Sequence, residues 1–242
     1  MRGVRARTID VVKPPARTKQ LAAAAALAVI AAAPAARADD WGGLYDGRTL
    51  QHGGEAFAEG GFPGAGLGVL FGTSDAVDVG VEVAATYSGL GVYATDAFSA
   101  AFGVDPRVVA RFALARGKVL SVLLRLEPGV RFARIDPSVR WGPELVLGAD
   151  FGIRITPRAS IYAGVEIPVY LDIPNTTPAN PFAVFLPILF GAGFEYHATD
   201  VVGFGGRVAP GVNVAAGDFS PSPRTGFALV AEGYFIFRWG AR

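Results

Sequence analysis

The stretch that decides the fold is RVVARFALARGKVLSVLLRLEPGVRFARI, residues 107–135, because its apolar residues recur at every second position. Before the break at residues 116–118 they are Val108, Ala110, Phe112 and Leu114. After the break they are Leu120, Val122, Leu124 and Leu126. An alternation with a period of two is typical of a β-strand. Two such strands joined at a glycine-containing break predict a β-hairpin.

The rest of the chain repeats this unit. About nine segments alternate in the same way, and the absence of a helical period indicates a single all-β domain. Because closed single-chain barrels favour an even number of strands, we expect a further strand within residues 52–59. The sequence thus predicts an antiparallel up-and-down β-barrel of ten strands over residues 53–242, with eight strands as the alternative.

The N-terminus has the pattern of a cleaved secretory signal peptide. Six basic residues precede the apolar run LAAAAALAVIAAA at residues 21–33, and Ala36 and Ala38 are the small residues that signal peptidase requires. The run is shorter than the roughly 20 apolar residues of a transmembrane helix. We therefore predict cleavage after Ala38, so that residues 1–38 are removed, and a flexible lead-in over residues 39–52.

Charge and cysteine content exclude several classes of function. Residues 1–38 hold seven of the 22 basic residues and one of the 21 acidic ones, which leaves 15 basic and 20 acidic residues and a net charge of −5. A surplus of acids argues against a nucleic-acid partner. The chain has no cysteine, so disulfides, thiolate metal sites and a lipid anchor on cysteine are excluded.

Loop lengths and side-chain parity favour a barrel that spans a membrane. Short breaks alternate with longer ones, as in transmembrane barrels with short periplasmic turns and longer external loops. In each strand the large aliphatic residues take one parity and the ionisable residues take the other. Aliphatic residues would face lipid in a membrane barrel, whereas in a soluble barrel they would form the core. Four prolines inside strand patterns, Pro128, Pro168, Pro187 and Pro210, predict places where strands bulge or leave the membrane.

These features resemble the small, porin-like outer-membrane β-barrel proteins of Gram-negative bacteria. The resemblance covers roughly residues 53–240 and includes a final aromatic-rich strand from Gly226 to Trp239, GFALVAEGYFIFRW. It implies location in the outer membrane, contact with lipid, and recognition of this final strand by the barrel assembly machinery. The chain departs from the family pattern by continuing for three residues beyond Trp239.

The candidate site is a set of charged residues on the parity that would face the barrel interior. Seven acids and six arginines nearly neutralise one another: Glu82, Arg111, Arg125, Glu127, Arg131, Glu144, Asp150, Arg154, Glu166, Glu195, Arg207, Glu232 and Arg238. Arginine suits planar, bidentate pairing with carboxylates in a confined space. We expect these groups to pair and fill a narrow interior. The alternatives are an open channel that they line, and a soluble secreted barrel that carries a small ligand.

Catalytic and metal-binding patterns are not evident in the sequence. The chain has two histidines, His52 and His197, with no serine at triad spacing and no clustered metal ligands. We therefore predict no enzyme activity, no cofactor and no metal, and interpret His197 as a turn residue. Aromatic residues near predicted strand ends, Tyr87, Tyr93, Trp141, Tyr196 and Trp239, are expected at the two membrane interfaces. An external ligand is possible, but the sequence does not identify it.

Overall fold

A computed structural model describes residues 43–50, 53–86, 102–135, 138–174, 183–217 and 220–240 of the 242-residue chain. The predicted signal peptide, residues 1–38, lies outside the described residues, as do Tyr87 and Tyr93.

Ten antiparallel strands account for nearly all of the described residues. They are β1 (Gly53–Phe62), β2 (Gly64–Ser74), β3 (Val77–Thr86), β4 (Phe102–Arg116), β5 (Leu120–Ile135), β6 (Ser138–Thr156), β7 (Ala159–Pro174), β8 (Ala183–His197), β9 (Val202–Gly217) and β10 (Ser220–Trp239).

The strands form a closed up-and-down barrel, which confirms the predicted fold. Each strand pairs with its neighbours in the chain, and β1 pairs with β10 to close the sheet. The closing pair begins at Gly54 opposite Trp239 and ends at Phe62 opposite Ala231. The strand count is ten, the favoured number, because residues 53–62 form the additional strand that an even number requires.

The two ends of the barrel differ in their connections. One end, called here the short-turn end, carries the turns at residues 75–76, 117–119, 157–158 and 198–201. The strands at the other end, the loop end, extend further than the sequence predicts, because polar and glycine-rich segments continue the pairing. Phe132 of β5, for example, still pairs with Trp141 of β6, inside a segment expected to be a loop.

The outward and inward faces follow the predicted parity. Leu67, Phe190 and Phe235 are among the outward residues, with exposed fractions of 67, 62 and 68%. Inward residues of β4 and β5 are almost completely covered, and Arg111 and Leu123 are exposed by 1 and 0%. The barrel therefore presents an apolar outer surface and encloses its charges.

The structure corrects the prediction that strands bulge at the four prolines. The register is unchanged on both sides of each one, and in β7 and β8 it continues from Glu166 opposite Leu189 to Tyr170 opposite Phe185. Pro168 and Pro187 lie opposite each other within that interval. Because neither has an N–H group to donate, the ladder is interrupted there without an extra residue.

Residues 43–50 lie inside the barrel, and every one of them is buried. This segment, called here the inserted segment, belongs to the stretch that the sequence predicts to be a flexible lead-in. The structure places it differently because its backbone groups and its apolar side chains find partners on the inner wall. Leu44, Tyr45 and Leu50 pack in one cluster with wall residues that include Phe57, Leu70 and Val109.

Candidate functional site in the barrel interior

The inserted segment is fixed to the short-turn end by its polar groups. The Arg48 guanidinium donates to the carbonyl oxygens of Gly117 and Lys118, at 3.1 and 3.0 Å. The Thr49 hydroxyl donates to the Asp75 carbonyl at 2.7 Å. Buried backbone and side-chain polar groups require such partners, and here the turns between strands supply them.

Arg111 joins the inserted segment to the barrel wall. Its guanidinium lies 2.6 Å from the Asp78 carboxylate and also donates to the carbonyl oxygens of Gly43 and Leu44, at 2.8 and 3.0 Å. Asp78 in turn accepts from the Leu50 N–H at 2.9 Å. One buried ion pair therefore holds both ends of the segment. Sequence parity predicts the inward position of Arg111 but does not predict its contact with the segment.

Tyr45 lies at the centre of the interior among aromatic and charged side chains. Its ring stacks on Tyr162 at a centroid distance of 5.6 Å and meets Tyr234 edge-on at 5.3 Å. The guanidinium carbons of Arg125 and Arg207 lie 5.0 and 4.5 Å from its ring centroid, within the range of a cation–π interaction.

The hydroxyl of Tyr45 is a hydrogen-bond donor. It donates to the carboxylates of Glu59 and Glu232, at 3.1 and 3.4 Å. Burial, which disfavours the phenolate, raises the pKa of Tyr45 well above its ordinary value, and the neighbouring Arg207 only partly offsets this effect. Tyr45 therefore stays neutral and keeps its proton for these carboxylates.

Two arginines organise the ion pairs around Tyr45. Arg125 donates to Asp150 at 2.7 Å, Glu127 at 2.8 Å and Glu166 at 2.9 Å. Arg207 shares Glu166 with Arg125, at 2.8 Å, and also donates to Glu232. The planar guanidinium allows each arginine to bridge several carboxylates on different strands. This part of the barrel is filled by paired charge.

Nearer the loop end, two more arginines lie close to carboxylates of neighbouring strands. Arg107 pairs with Glu82 at 2.6 Å and more distantly with Glu127, at 3.4 Å. Arg131 lies 3.7 Å from Asp105, with its guanidinium carbon 4.7 Å from the Tyr170 ring centroid.

A cavity of about 160 Å³ lies between the inserted segment and the loop end. Leu44 and Tyr45 form part of its boundary on the side of the segment, and Pro63 and Thr86 line it near the loop end. We call this space the outer cavity. The barrel interior is thus filled at the short-turn end and partly open towards the loop end.

The short-turn end also contains a buried cluster of two carboxylates and a histidine. The possible ligand atoms of Asp46, Glu195 and His197 all lie within 4.8 Å of one another, and among the described residues this is the one group with spacing suited to a metal ion. His197 Nε2 lies 3.0 Å from Glu195 Oε1. Glu195 also accepts from the Leu44 N–H at 3.0 Å and from the Tyr234 hydroxyl at 3.2 Å.

The position of His197 corrects the prediction that it is a turn residue at the interface. It is the last residue of β8, 4% exposed, and it shares the inward parity of Glu195. The Asp46 carboxyl also lies close to the Glu195 carboxylate. Burial first, and then the charge of Glu195, raise the pKa of the Asp46 carboxyl above its ordinary value.

The structure places all thirteen predicted interior charges on the inner face. Most of them take part in the ion pairs described above. The Nε atom of Arg238 lies 3.4 Å from Oε2 of Glu55, and Arg154 is half-buried at the short-turn end. Further charged residues share this interior, and those on the strands include Glu55, Glu59, Asp78, Asp105 and Arg107. The parity rule that selected the thirteen would also have found these five. Nothing in the sequence marks Tyr45 as their central partner.

Three of the predicted interfacial aromatics lie within the described residues. Trp141 and Tyr196 are outward, with exposed fractions of 43 and 40%, and Trp239 is half-buried. Trp141 is near the loop end, whereas Tyr196 and Trp239 are near the short-turn end. The ring centroids of Tyr196 and Phe204 are 5.4 Å apart, and those of Trp239 and Phe71 are 6.1 Å apart. Tyr87 and Tyr93 lie outside the described residues.

No protein-family model, curated protein or solved structure matches the chain. Within the described ranges, no helix has both the length and the apolar character needed to cross a membrane.

Proposed function

We propose that the protein is a bacterial outer-membrane β-barrel whose narrow interior is filled by ion pairs and the inserted segment, with a structural or surface-interaction role. One observation carries this proposal: the closed sheet turns its large aliphatic side chains outward and its ion pairs inward. Exposed apolar area on this scale is unfavourable in water, whereas in a bilayer it faces hydrocarbon.

Two further features support a membrane location. Aromatic side chains lie outward near both ends of the barrel, with Phe102, Phe132 and Trp141 near the loop end, and Phe71 and Tyr196 near the short-turn end. Such rings favour the boundary between headgroups and hydrocarbon. A closed barrel also has no unpaired sheet edge, which is a requirement for backbone in lipid. On this proposal the final strand, Ser220–Trp239, is the segment that the assembly machinery recognises.

The occupied short-turn half of the barrel supports the proposal of a closed interior. The inserted segment contacts β3, β4, β5 and β8, and Tyr45 reaches the ion pairs of Arg125 and Arg207. A wide aqueous channel would leave these charges hydrated, whereas here they are paired with one another.

The second candidate function is a small-solute or ion pore. The outer cavity favours it, because the interior is not filled along its whole length. On this reading, residues 43–50 would have to leave the interior for conduction to occur. A soluble secreted carrier remains the third alternative and would require the outer aliphatic face to be covered by something other than lipid.

Membrane fractionation and electrophoresis test the proposal. We expect the full-length protein to enter the outer-membrane fraction, to need detergent for extraction, and to migrate differently on gels before and after boiling. Recovery in the soluble periplasmic fraction would contradict a membrane location. In planar bilayers we expect little conductance from the wild type, and steady open-channel currents would favour the pore.

A further inference from the structure

The outer cavity combines an excess of carboxylates with an apolar wall. We propose that it binds a small organic cation with an apolar body, whose ammonium group lies at Glu144 and whose apolar part packs against Leu189 and Ala228. This inference goes beyond the proposed function, and it concerns the interior of the barrel irrespective of whether the barrel lies in lipid or in water.

The carboxylates of the cavity outnumber the cations available to them. Seven acids line it, Glu59, Glu82, Asp105, Glu127, Glu144, Glu166 and Glu232, with five arginines, Arg107, Arg111, Arg125, Arg131 and Arg207. Arg111 pairs with Asp78, which is not part of the lining. Arg125 is shared further with Asp150, also outside the lining. Seven acids of the lining therefore share five arginines, two of which also pair with carboxylates outside it.

Among the carboxylates of the lining, Glu144 has a buried oxygen atom that no arginine satisfies. Its side chain is 7% exposed, and its Oε2 atom has no hydrogen-bond partner among the described residues. A buried carboxylate oxygen without a donor is costly, because its lost hydration is not replaced. An ammonium group in the cavity would supply both the donor and the charge.

An apolar wall lines another part of the same cavity. Leu189 and Ala228 form a buried cluster with Ala209, and Val230 packs against it. Pro168 and Pro187 extend the lining towards the loop end. Because alanines stand at inward positions where other strands carry larger side chains, this wall leaves room for the body of a ligand.

The same features argue against other ligand classes. An anion would need a free guanidinium, but Arg107, Arg125 and Arg207 each already pair with at least two carboxylates. For a metal ion, the one group with suitable spacing in the described part of the chain is the cluster of Asp46, Glu195 and His197, which is not in this lining. An organic cation satisfies both the charge and the apolar surface.

Three probes with the same ring separate the contributions of charge and apolar contact: benzylammonium, benzyl alcohol and benzoate. Binding is measured by titration calorimetry on the full-length folded protein in a zwitterionic detergent. We expect benzylammonium to bind about tenfold more tightly than benzyl alcohol, since a hydrogen bond to a charged group contributes more than a neutral one. Benzoate should bind more weakly than either.

Variants then locate the site. Glu144→Gln should weaken benzylammonium by about tenfold and leave benzyl alcohol unchanged, because only the charged partner is lost. Ala228→Leu should weaken both probes by filling the apolar wall. Asp200→Asn, which removes one carboxylate in the turn after β8, is the control and should change neither affinity.

Several results would overturn the proposal. They are absence of benzylammonium binding, tighter binding of benzoate or benzyl alcohol, or full benzylammonium affinity in Glu144→Gln. Each variant is first shown to be folded by its gel migration before boiling. The titration uses folded protein, whichever fraction it comes from. A negative titration would therefore contradict ligand binding, whereas recovery in the soluble fraction would contradict the membrane location.

Discussion

The guanidinium carbon of Arg207 lies 4.5 Å from the centroid of the Tyr45 ring. Arg207 belongs to the barrel wall and pairs with Glu166 and Glu232, whereas Tyr45 belongs to the inserted segment. The ring thus packs against a cation that is itself held by two carboxylates. The position of the segment and the order of the ion pairs are therefore coupled through one aromatic side chain, which makes Tyr45 the first residue to test.

Tyr45→Ala should release the inserted segment. Removing a large buried aromatic side chain typically lowers the free energy of unfolding by about 3–5 kcal/mol, and here it also removes the stacking partner of Tyr162. We expect faster hydrogen exchange at the Leu44 and Leu50 amides and a higher conductance in planar bilayers. Tyr45→Phe is the matched control, because it keeps the ring and loses only the hydroxyl, whose one proton is shared between Glu59 and Glu232 and contributes about 1 kcal/mol. Equal behaviour of the two variants would contradict a central role for the ring.

Gly152→Ala should displace the segment without removing any of its side chains. A methyl group at this inward position of β6 would overlap the Asp46 carbonyl oxygen, which is backbone and cannot rotate away. We expect loss of exchange protection at Gly43 and Arg48, whose amides donate to Asp46. Gly191→Ala is the control, because the nearest atom to its new methyl group would be the Ala209 Cβ at an ordinary 3.7 Å. If both variants keep the wild-type protection, the segment does not lie against β6.

Val81→Arg distinguishes a membrane barrel from a soluble one. Val81 is outward on β3 and 52% exposed, so an arginine there meets hydrocarbon in a bilayer and water in a soluble protein. In a bilayer we expect a loss of about 2–4 kcal/mol in folding free energy, measured by denaturant titration in lipid vesicles. Val119→Arg, in the turn after β4 and 59% exposed, should have a much smaller effect. Equal tolerance of both substitutions would favour the soluble alternative.

The docking of the inserted segment should depend on pH through Asp46. Burial and the charge of Glu195 raise the pKa of its carboxyl in the docked state, so the docked state binds a proton more readily than the released one. Docking should therefore strengthen as the pH falls towards the ordinary range of an aspartate, and weaken as the pH rises through the raised pKa. Glu195, His197 and Arg48 are the other ionisable groups that act on this carboxyl.

Exchange protection of the Gly43 and Arg48 amides, corrected for the intrinsic pH dependence of exchange, measures this effect. Asp46→Asn keeps an acceptor for both amides and removes the titration, so the pH dependence should become flatter. A slope unchanged in Asp46→Asn would show that the dependence does not come from Asp46.

The barrel itself could be predicted from the sequence because the alternation of apolar and polar residues can be read within each strand separately. Alternation along β4 and β5 predicts which side chains point inward, and Arg111, Arg125 and Glu127, which have the inward parity, are buried in the structure. The same parity, followed two residues past Glu195, places His197 inside. The ends of the loops are harder to predict. Trp141 lies in a segment that is rich in polar residues and proline, which indicates a loop, yet it belongs to β6 and pairs with Phe132.

The inserted segment could not be predicted because its structure depends on distant partners. Gly43, Asp46 and Thr49 show no period of two and are polar or small, as in a solvent-exposed tail. Their hydrogen bonds go to Arg111, Ser121 and Asp75, which no local pattern connects to them. The ion-pair partners were unpredictable for the same reason, since they depend on the register between strands.

The position of the inserted segment has a consequence for the order of folding. The hydrogen bond from Leu44 to Glu195 joins residues 151 positions apart, and the contact of Tyr45 with Glu232 joins residues 187 apart. These residues leave the ribosome before any strand, yet their binding surface exists only after β8 and β10 have paired. Docking of the inserted segment is therefore a late step of assembly, which can be completed only after the barrel has closed.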